Sequence, residues 1–189
     1  AGQVYFGALQ GQLWKTNGTA AGTRLLKTFA YTGTGTNMSL AEFGGYLYIG
    51  AYDGLYKTDG TGTGTVPAIT FESATPFPRD LTAFGDMLIF TATPQSRRCL
   101  MRTDGSQAGT SVISDLGLGY YVTYSGFTAS TNHVYFTGTY VLNHDSWVIV
   151  TDGTADGTFV LTGMSDFGAL LGDVMVGTGQ PAVIKALAR

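Results

Sequence analysis

The segment "LWKTNGTAAGT" at residues 13–23 recurs three more times along the chain. The copies are "LYKTDGTGTGT" at 55–65, "LMRTDGSQAGT" at 100–110 and "VIVTDGTADGT" at 148–158. Their central residues are Asn17, Asp59, Asp104 and Asp152, at spacings of 42, 45 and 48 residues. A period in this range indicates a repeat architecture, in which each copy belongs to one supersecondary unit.

Each repeat contains four short segments with the composition of β-strands. One segment precedes the Asx-Gly pair, over 12–16, 54–58, 99–103 and 147–151. The segment before it covers 3–7, 46–50, 87–91 and 133–137, and a fifth copy, "DVMVG", stands at 173–177. An earlier segment covers 40–45, 81–86, 127–132 and 167–172, and a last one follows each Gly-Thr pair. Every repeat therefore predicts a four-stranded antiparallel unit.

These units are typical of an all-β fold, a small β-propeller of four (possibly five) four-stranded blades. Segments such as "YLYIG" at 46–50 are apolar without alternation, as expected for sheets packed on both faces. We expect one repeat domain over 1–189. Its repeats cover about 1–30, 39–71, 80–116 and 126–164, with a partial one over 166–189. The first repeat lacks its earliest strand, so we expect the ring to close either through 167–172 or through a fifth, irregular blade.

The repeated turn has a physical explanation. An Asx side chain accepts hydrogen bonds from backbone N–H groups two residues on, and the glycine after it adopts positive φ at little cost. The threonine hydroxyls can satisfy further backbone groups. We expect the second glycine, before Thr, to occupy a β-bulge or a left-handed position. Asn17, Asp59, Asp104 and Asp152 are therefore predicted to be structural turn residues.

Composition narrows the possible functions. The chain has 28 Gly, 11 Tyr and 11 Phe, only 12% charged residues and a net charge of −3, with scattered Lys and Arg. We therefore predict no nucleic-acid partner, and no apolar run approaches a membrane span of roughly 18 residues. The single cysteine, Cys99, is expected to be a buried strand residue rather than a thiolate favoured by Arg97 and Arg98. His133 and His144 share no metal-ligand spacing, so no metal or cofactor is predicted.

The four turns resemble the bacterial ELWxxDGT repeat, which occurs in tandem in secreted and cell-surface proteins. They also resemble, more loosely, the Asp-box hairpins of sialidase-type propellers. The resemblance covers roughly residues 3–177, with departures: Gln12 replaces the leading Glu of the first copy, and the Trp survives only as Trp14. It implies a propeller fold and a secreted or cell-surface location, but no established activity.

One face of the predicted disc varies between repeats. The turns between first and second strands and between third and fourth strands are nearly the same in every repeat, whereas the other loops differ in length and chemistry. Loops that a scaffold allows to vary usually carry function. On this variable face we expect a polar ligand to be held by a set of side chains drawn from Tyr31, Tyr52, Asp53, Arg79, Arg97, Arg98, Tyr121, Tyr140, His144 and Asp145.

Tyrosines interspersed with Asp and Arg suit a sugar, because the ring covers its apolar face and the polar groups bind its hydroxyls. We therefore predict a non-catalytic, lectin-like module for a glycan or another extracellular polymer. An alternative is a protein-docking subunit of a larger assembly, with an apolar patch at Tyr120, Tyr121, Val122 and Tyr124. Three other hypotheses are a sialidase-like glycosidase, shallow multivalent sites at the repeated turns, and a weak calcium site at Asp152 and Asp156.

Overall fold

The computed structural model describes residues 2–30, 38–95, 97–115, 122–142, 144–161, 169–171 and 174–176, the last two ranges as backbone only. Short strands joined by turns make up these ranges, with one 3-10 turn at Leu9–Gly11. The strands are β1 (Val4–Ala8), β2 (Gln12–Thr16), β3 (Arg24–Thr28), β4 (Ser39–Phe43), β5 (Tyr46–Ala51), β6 (Gly54–Thr58), β7 (Val66–Pro67), β8 (Arg79–Phe84), β9 (Met87–Ala92), β10 (Cys99–Thr103), β11 (Ser111–Ser114), β12 (Val122–Ala129), β13 (Val134–Tyr140), β14 (Ser146–Thr151), β15 (Phe159–Leu161), β16 (Ala169–Leu171) and β17 (Val174–Val176).

The strands form antiparallel sheets in which neighbours in sequence are neighbours in space. Sheet 1 is β1-β2-β3, sheet 2 is β4 to β7, sheet 3 is β8 to β11, sheet 4 is β12 to β15, and β16-β17 form a two-stranded sheet 5. The predicted four-stranded units are confirmed in sheets 2, 3 and 4, and sheet 1 lacks a first strand as expected. No helix in the described ranges is long and apolar enough to cross a membrane.

The core lies between the sheets, because both faces of each interior sheet are apolar. Ile49 of sheet 2 packs with Leu13 of sheet 1, while its strand neighbour Tyr48 packs with Phe90 of sheet 3. On the other face of sheet 3, Ile89 packs with Phe136 of sheet 4. Fully burying a side chain of this size contributes roughly 1.5–3 kcal/mol. The non-alternating apolar segments of the sequence are thus explained by packing on two sides.

The Asx-Gly turns connect the third and fourth strands through the same hydrogen bonds in every sheet. In sheet 2, Asp59 Oδ1 accepts from Thr61 N at 2.8 Å and from Thr61 Oγ1 at 2.7 Å. Gly60 N donates to Thr58 Oγ1 at 3.0 Å, and the hydroxyls of Thr58 and Thr65 are 2.7 Å apart. Gly60 has a φ of 92°, as predicted for the glycine after Asx.

The second glycine of the motif has a different role from the predicted one. Gly64 does not have a positive φ, so the left-handed assignment is wrong. A Cβ at Gly64 would collide with the Asp59 carboxylate, which folds back over the turn, and Gly22, Gly109 and Gly157 are covered by their Asx side chains in the same way. The β-bulges of sheets 1 and 3 lie further along the fourth strands, not at this glycine. Space, rather than backbone conformation, therefore selects the second glycine.

The turns of sheets 2, 3 and 4 also join neighbouring sheets, since each of them packs on the sheet that precedes it. Lys15 of β2 donates through Nζ to the carbonyl oxygen of Gly60 in the turn of sheet 2, at 2.5 Å. Arg102 of β10 donates through Nη1 to the carbonyl oxygen of Gly153 in the turn of sheet 4, at 3.1 Å. At the junction of sheets 2 and 3, the Tyr48 hydroxyl lies against Gly105.

We expect Gly64→Ala to lower the free energy of unfolding by about 1–3 kcal/mol, because the new methyl group collides with the Asp59 carboxylate. In an Asp59→Ala background the carboxylate is absent, so the same change should lie within about 0.5 kcal/mol of neutral. Urea denaturation of the wild type, the two single variants and the double variant measures the coupling free energy between the two substitutions. Equal costs in both backgrounds would contradict this role for the glycine.

Acid should weaken the turns. Hydrogen bonds from the side chains of Thr61, Ser106 and Thr154 hold the pKa values of Asp59, Asp104 and Asp152 below the ordinary 3.8. The stabilisation that these three carboxylates provide is complete above their pKa in the unfolded chain. It is lost as the pH falls from that pKa through the lower pKa values of the folded protein. The free energy of unfolding, measured by denaturation between pH 7 and pH 2, should fall over this range. Asp59→Asn, which mimics the Asn17 turn, should make the fall less steep.

Candidate functional site

The variable face is also the strained face of the molecule. Among the residues that the structure describes, four non-glycine residues have positive φ: Gln10 (63°), Phe77 (50°), Asp80 (58°) and His144 (61°). Gln10 and His144 lie in loops between second and third strands, and Phe77 and Asp80 lie where the chain passes from sheet 2 to sheet 3. Such strain persists only where the surroundings enforce it, and it concentrates at functional sites.

Two of these residues belong to a group of side chains at the junction of sheets 2 and 3, which we call the Arg79 cluster and define as Tyr52, Phe77, Arg79, Asp80 and Arg98. The Arg79 guanidinium lies 3.9 Å from the centre of the Phe77 ring. Tyr52 meets the same ring edge-on, with centroids 5.4 Å apart. The guanidinium is therefore held in place by stacking on the Phe77 ring, which is worth about 0.5–2 kcal/mol.

Asp80 is the acid of the cluster and is half-buried at the start of β8. A register shift of β8 against β9 between Arg79 and Thr82 accompanies its left-handed backbone. Burial raises the pKa of Asp80, while a hydrogen bond from Thr91 Oγ1 at 2.9 Å and the charges of Arg98 and Arg79 oppose that rise. A carboxylate is thus held partly out of water between two arginines.

The cluster lies near the centre of the array of sheets. First strands of neighbouring sheets contact one another, β4 with β8 and β8 with β12. The Leu81 amide donates to Ser39 Oγ of β4 at 2.9 Å, which ties the start of β8 to sheet 2. On the other side Tyr124 of β12 is buried, and burial raises its pKa to about 12. Asp80 therefore sits where three sheets meet.

Asp53 contributes a second carboxylate beside Tyr52. Its Oδ2 accepts a hydrogen bond from the Tyr56 hydroxyl at 3.1 Å, and burial together with the Asp53 charge raises the pKa of Tyr56 to about 12. Its Oδ1 is buried and has no hydrogen-bond partner among the described residues. A shallow apolar pocket, lined in part by Tyr52, Phe77 and Phe29, borders this position.

The other predicted residues are distributed differently. Arg97 forms an exposed ion pair with Asp115 at 3.4 Å, with side chains 61% and 54% exposed, an arrangement worth little. Tyr140, His144 and Asp145 lie together in the β13–β14 loop, where His144 N donates to the Tyr140 carbonyl and Tyr140 N to the Asp145 carbonyl, both at 2.8 Å. Tyr31 and Tyr121 lie outside the described residues.

Two expectations about other surfaces are corrected or limited by the structure. The predicted apolar docking patch is wrong at Val122 and Tyr124, because both are buried, 3% and 7% exposed, and Tyr120 and Tyr121 lie outside the described ranges. Each turn carboxylate already uses Oδ1 within its own turn. In the described part of the chain no three His, Cys, Asp or Glu side chains are placed to hold a metal ion.

Of the residues in and around this cluster, Tyr52, Asp53, Arg79 and Arg98 are among the candidates taken from the sequence, whereas Phe77 and Asp80 are not. Their segment, "PFPRD" at 76–80, carried a usable signal. Two prolines restrict the backbone on either side of Phe77, and a charged pair opens a strand that is otherwise apolar. Such a pair in front of a buried strand indicates a polar site at its end.

The fold and this placement of the variable loops define a β-propeller. No protein-family model matches the chain, and no curated protein matches it. Solved structures of propellers are similar to it. The computationally designed Ika8 protein matches with a TM-score of 0.61 at 16% sequence identity, over 95% of this chain and 53% of that one. A calcium-binding protein, regucalcin, from Agrobacterium tumefaciens has a TM-score of 0.51 at 16% identity, over 86% of this chain and 58% of that one. At such identities the likeness concerns the fold, and this chain spans somewhat more than half the length of each.

Asp80→Asn should stabilise the fold at neutral pH. Because the folded pKa of Asp80 is raised, the native state disfavours the ionised acid, and the penalty present above the folded pKa is relieved as the pH falls through it. Asn stays neutral and tolerates positive φ. We expect the melting temperature at pH 7 to rise by about 2–4 °C.

The control for this change is Asp80→Ala, which loses the Thr91 hydrogen bond and tolerates positive φ poorly. Its melting temperature should fall below that of the wild type. A loss of stability in Asp80→Asn as large as in Asp80→Ala would contradict the account of a penalised carboxylate.

Proposed function

We propose that this chain is a non-catalytic, extracellular β-propeller module that binds a carbohydrate or a similar polyhydroxylated polymer at the Arg79 cluster. The observation that carries the proposal is the stacked Tyr52–Phe77–Arg79 arrangement beside the partly buried Asp80. Aromatic rings next to paired donors and acceptors suit a sugar, whose apolar face packs on a ring while its hydroxyls bind to charged groups. The resemblance to ELWxxDGT repeats supports a secreted or cell-surface location.

The charged groups of the cluster have complementary parts in such binding. Arg79 and Arg98 supply fixed N–H donors to hydroxyl, ring or carboxylate oxygens of a glycan. Asp80, which is half-buried, supplies an acceptor for sugar hydroxyls. The pre-set geometry reduces the entropy that ligand binding must overcome.

Binding rather than catalysis is proposed because the acids are not arranged as a reacting pair. Asp80 already accepts from Thr91, and Asp53 from Tyr56. Of the two glutamates, Glu72 accepts a hydrogen bond from Gln95 Nε2 at 2.7 Å, and Glu42 is exposed on β4.

A glycan array probed with the purified chain, with and without chelator, tests the proposal. We expect chelator-independent binding to one glycan class, weakened at least tenfold by Arg79→Gln, a loss of the size expected for one charged hydrogen bond. The matched control is Arg97→Gln, since Arg97 is an exposed arginine paired only weakly with Asp115. It should change affinity by less than about twofold.

Other outcomes place the site elsewhere. Loss of binding in Asp145→Asn with no effect of Arg79→Gln would move it to the β13–β14 loop. Loss in Asp59→Asn alone, with the fold intact, would favour multivalent binding at the repeated turns. Absence of binding to every glycan on the array would contradict carbohydrate recognition within the range of that array.

A further inference from the structure

The outer surface of sheet 1 corresponds to a blade face that is covered in sheets 2, 3 and 4, but no sheet of the described ranges is seen to cover it here. We call it the leading face and define it by Val4, Phe6, Trp14, Thr16 and Leu25, which the strand register places on one side: Phe6 is opposite Trp14, Val4 is opposite Thr16, and Trp14 is opposite Leu25. The other side of the sheet packs on sheet 2 through Leu13 and Lys15. The leading face therefore points away from sheet 2.

The same register identifies the corresponding residues of the other sheets. The pair Phe6 and Trp14 corresponds to Ile49 and Tyr56, to Phe90 and Met101, and to Phe136 and Ile149. Ile49, Phe90 and Phe136 are each 0% exposed, because a preceding sheet covers them. In contrast, Phe6 is 36% and Val4 60% exposed. Closure of the ring, expected from the sequence, is thus not seen at this face.

The turn of sheet 1 lacks its neighbour as well. Thr58, Thr103 and Thr151 are at most 1% exposed, whereas Thr16 is only half-buried. Gly60, Gly105 and Gly153 each lie against side chains of the preceding sheet, but nothing lies within 4 Å of a Cβ placed on Gly18. The interaction that joins the other sheets is therefore available and unused here.

The sequence of this face is not that of an end cap. Repeat proteins usually give their terminal units a polar outer surface. The leading face instead keeps Phe6, Trp14 and Val4 at positions that are buried in sheets 3 and 4. Trp14 even satisfies its own Nε1–H through Gln12 Oε1 at 2.9 Å, so the indole is ready to be buried without losing a hydrogen bond.

We propose that a second copy of this chain packs one of its blades on the leading face and so continues the ring. The occupant follows from the interface itself, because every described surface of this kind is covered by a blade of the same repeat. Length agrees with a ring larger than one chain, because the two solved propellers are about 1.8 and about 1.5 times as long as this chain, which covers 53% and 58% of them. Two copies supply enough blades for one complete ring.

Sedimentation analysis of the 19.9 kDa chain tests this proposal, because the expected dimer should dissociate on dilution from about 50 µM. Phe6→Asp places a charge at the centre of the face and should weaken association at least tenfold. The matched control is Leu142→Asp, since Leu142 is 66% exposed in the β13–β14 loop, away from sheet 1. It should leave association unchanged.

Trp14 provides a direct signal from the face. In a Trp147→Phe background it is the single tryptophan, because the chain has two. Its fluorescence should shift to shorter wavelength as the concentration rises, and dilution should reverse the shift. If Phe6→Asp fails to fold, Val4→Asp replaces it, because Val4 is the more exposed residue.

A chain that remains monomeric over this concentration range would overturn the proposal and would favour a preceding blade of a longer polypeptide as the occupant. A dimer that persists in both Phe6→Asp and Val4→Asp would also overturn it, since the contact would then lie elsewhere. Association is measured without any glycan, whereas the glycan array reports on the Arg79 cluster, so failure of one proposal is distinguished from failure of the other.

Discussion

The hydrogen bonds that each Asx side chain accepts inside its turn are the interaction on which the rest of the fold depends. In sheet 2 one carboxylate oxygen holds both the amide and the hydroxyl of Thr61, and the turn closes without help from other strands. The closed turn then presents the Gly60 carbonyl outward, where Lys15 of the preceding sheet reaches it. A local motif thus produces a long-range contact, and its repetition sets the spacing of the sheets.

This use of the turns divides the molecule into two functional halves. A turn that must both close a hairpin and pack on the preceding sheet has little freedom to vary, so the repeated face is committed to structure. The loops of the opposite face are not held by this packing and can contain strained backbone, as at Phe77 and Asp80. The strain and the raised pKa of Asp80 occur together where three sheets meet, an arrangement that a fold maintains at a cost in stability.

The sequence predicts the fold well because its information is local. Asx-Gly pairs mark each reversal, and apolar segments on both sides predict strands within a few residues of those observed. The site was predicted less completely. Arg79 was identified from its loop, but the bend that brings it over Phe77 depends on packing between sheets 2 and 3. The second glycine was misread for a similar reason, since its constraint is the position of a side chain five residues earlier.

The leading face and the Arg79 cluster are related through the positions of the first strands of the sheets. β8 carries Asp80 and contacts β4 and β12, so the cluster lies on the side of the sheets that faces the centre of the ring. Blades added beyond the leading face would bring their own first strands and variable loops toward the same centre. Completion of the ring would therefore add walls to the cluster and remove water from Asp80 and Arg98, which strengthens electrostatic interactions with a ligand. On this argument the proposed assembly would be coupled to the proposed binding, because this chain would provide the anchoring groups and the added blades the enclosure.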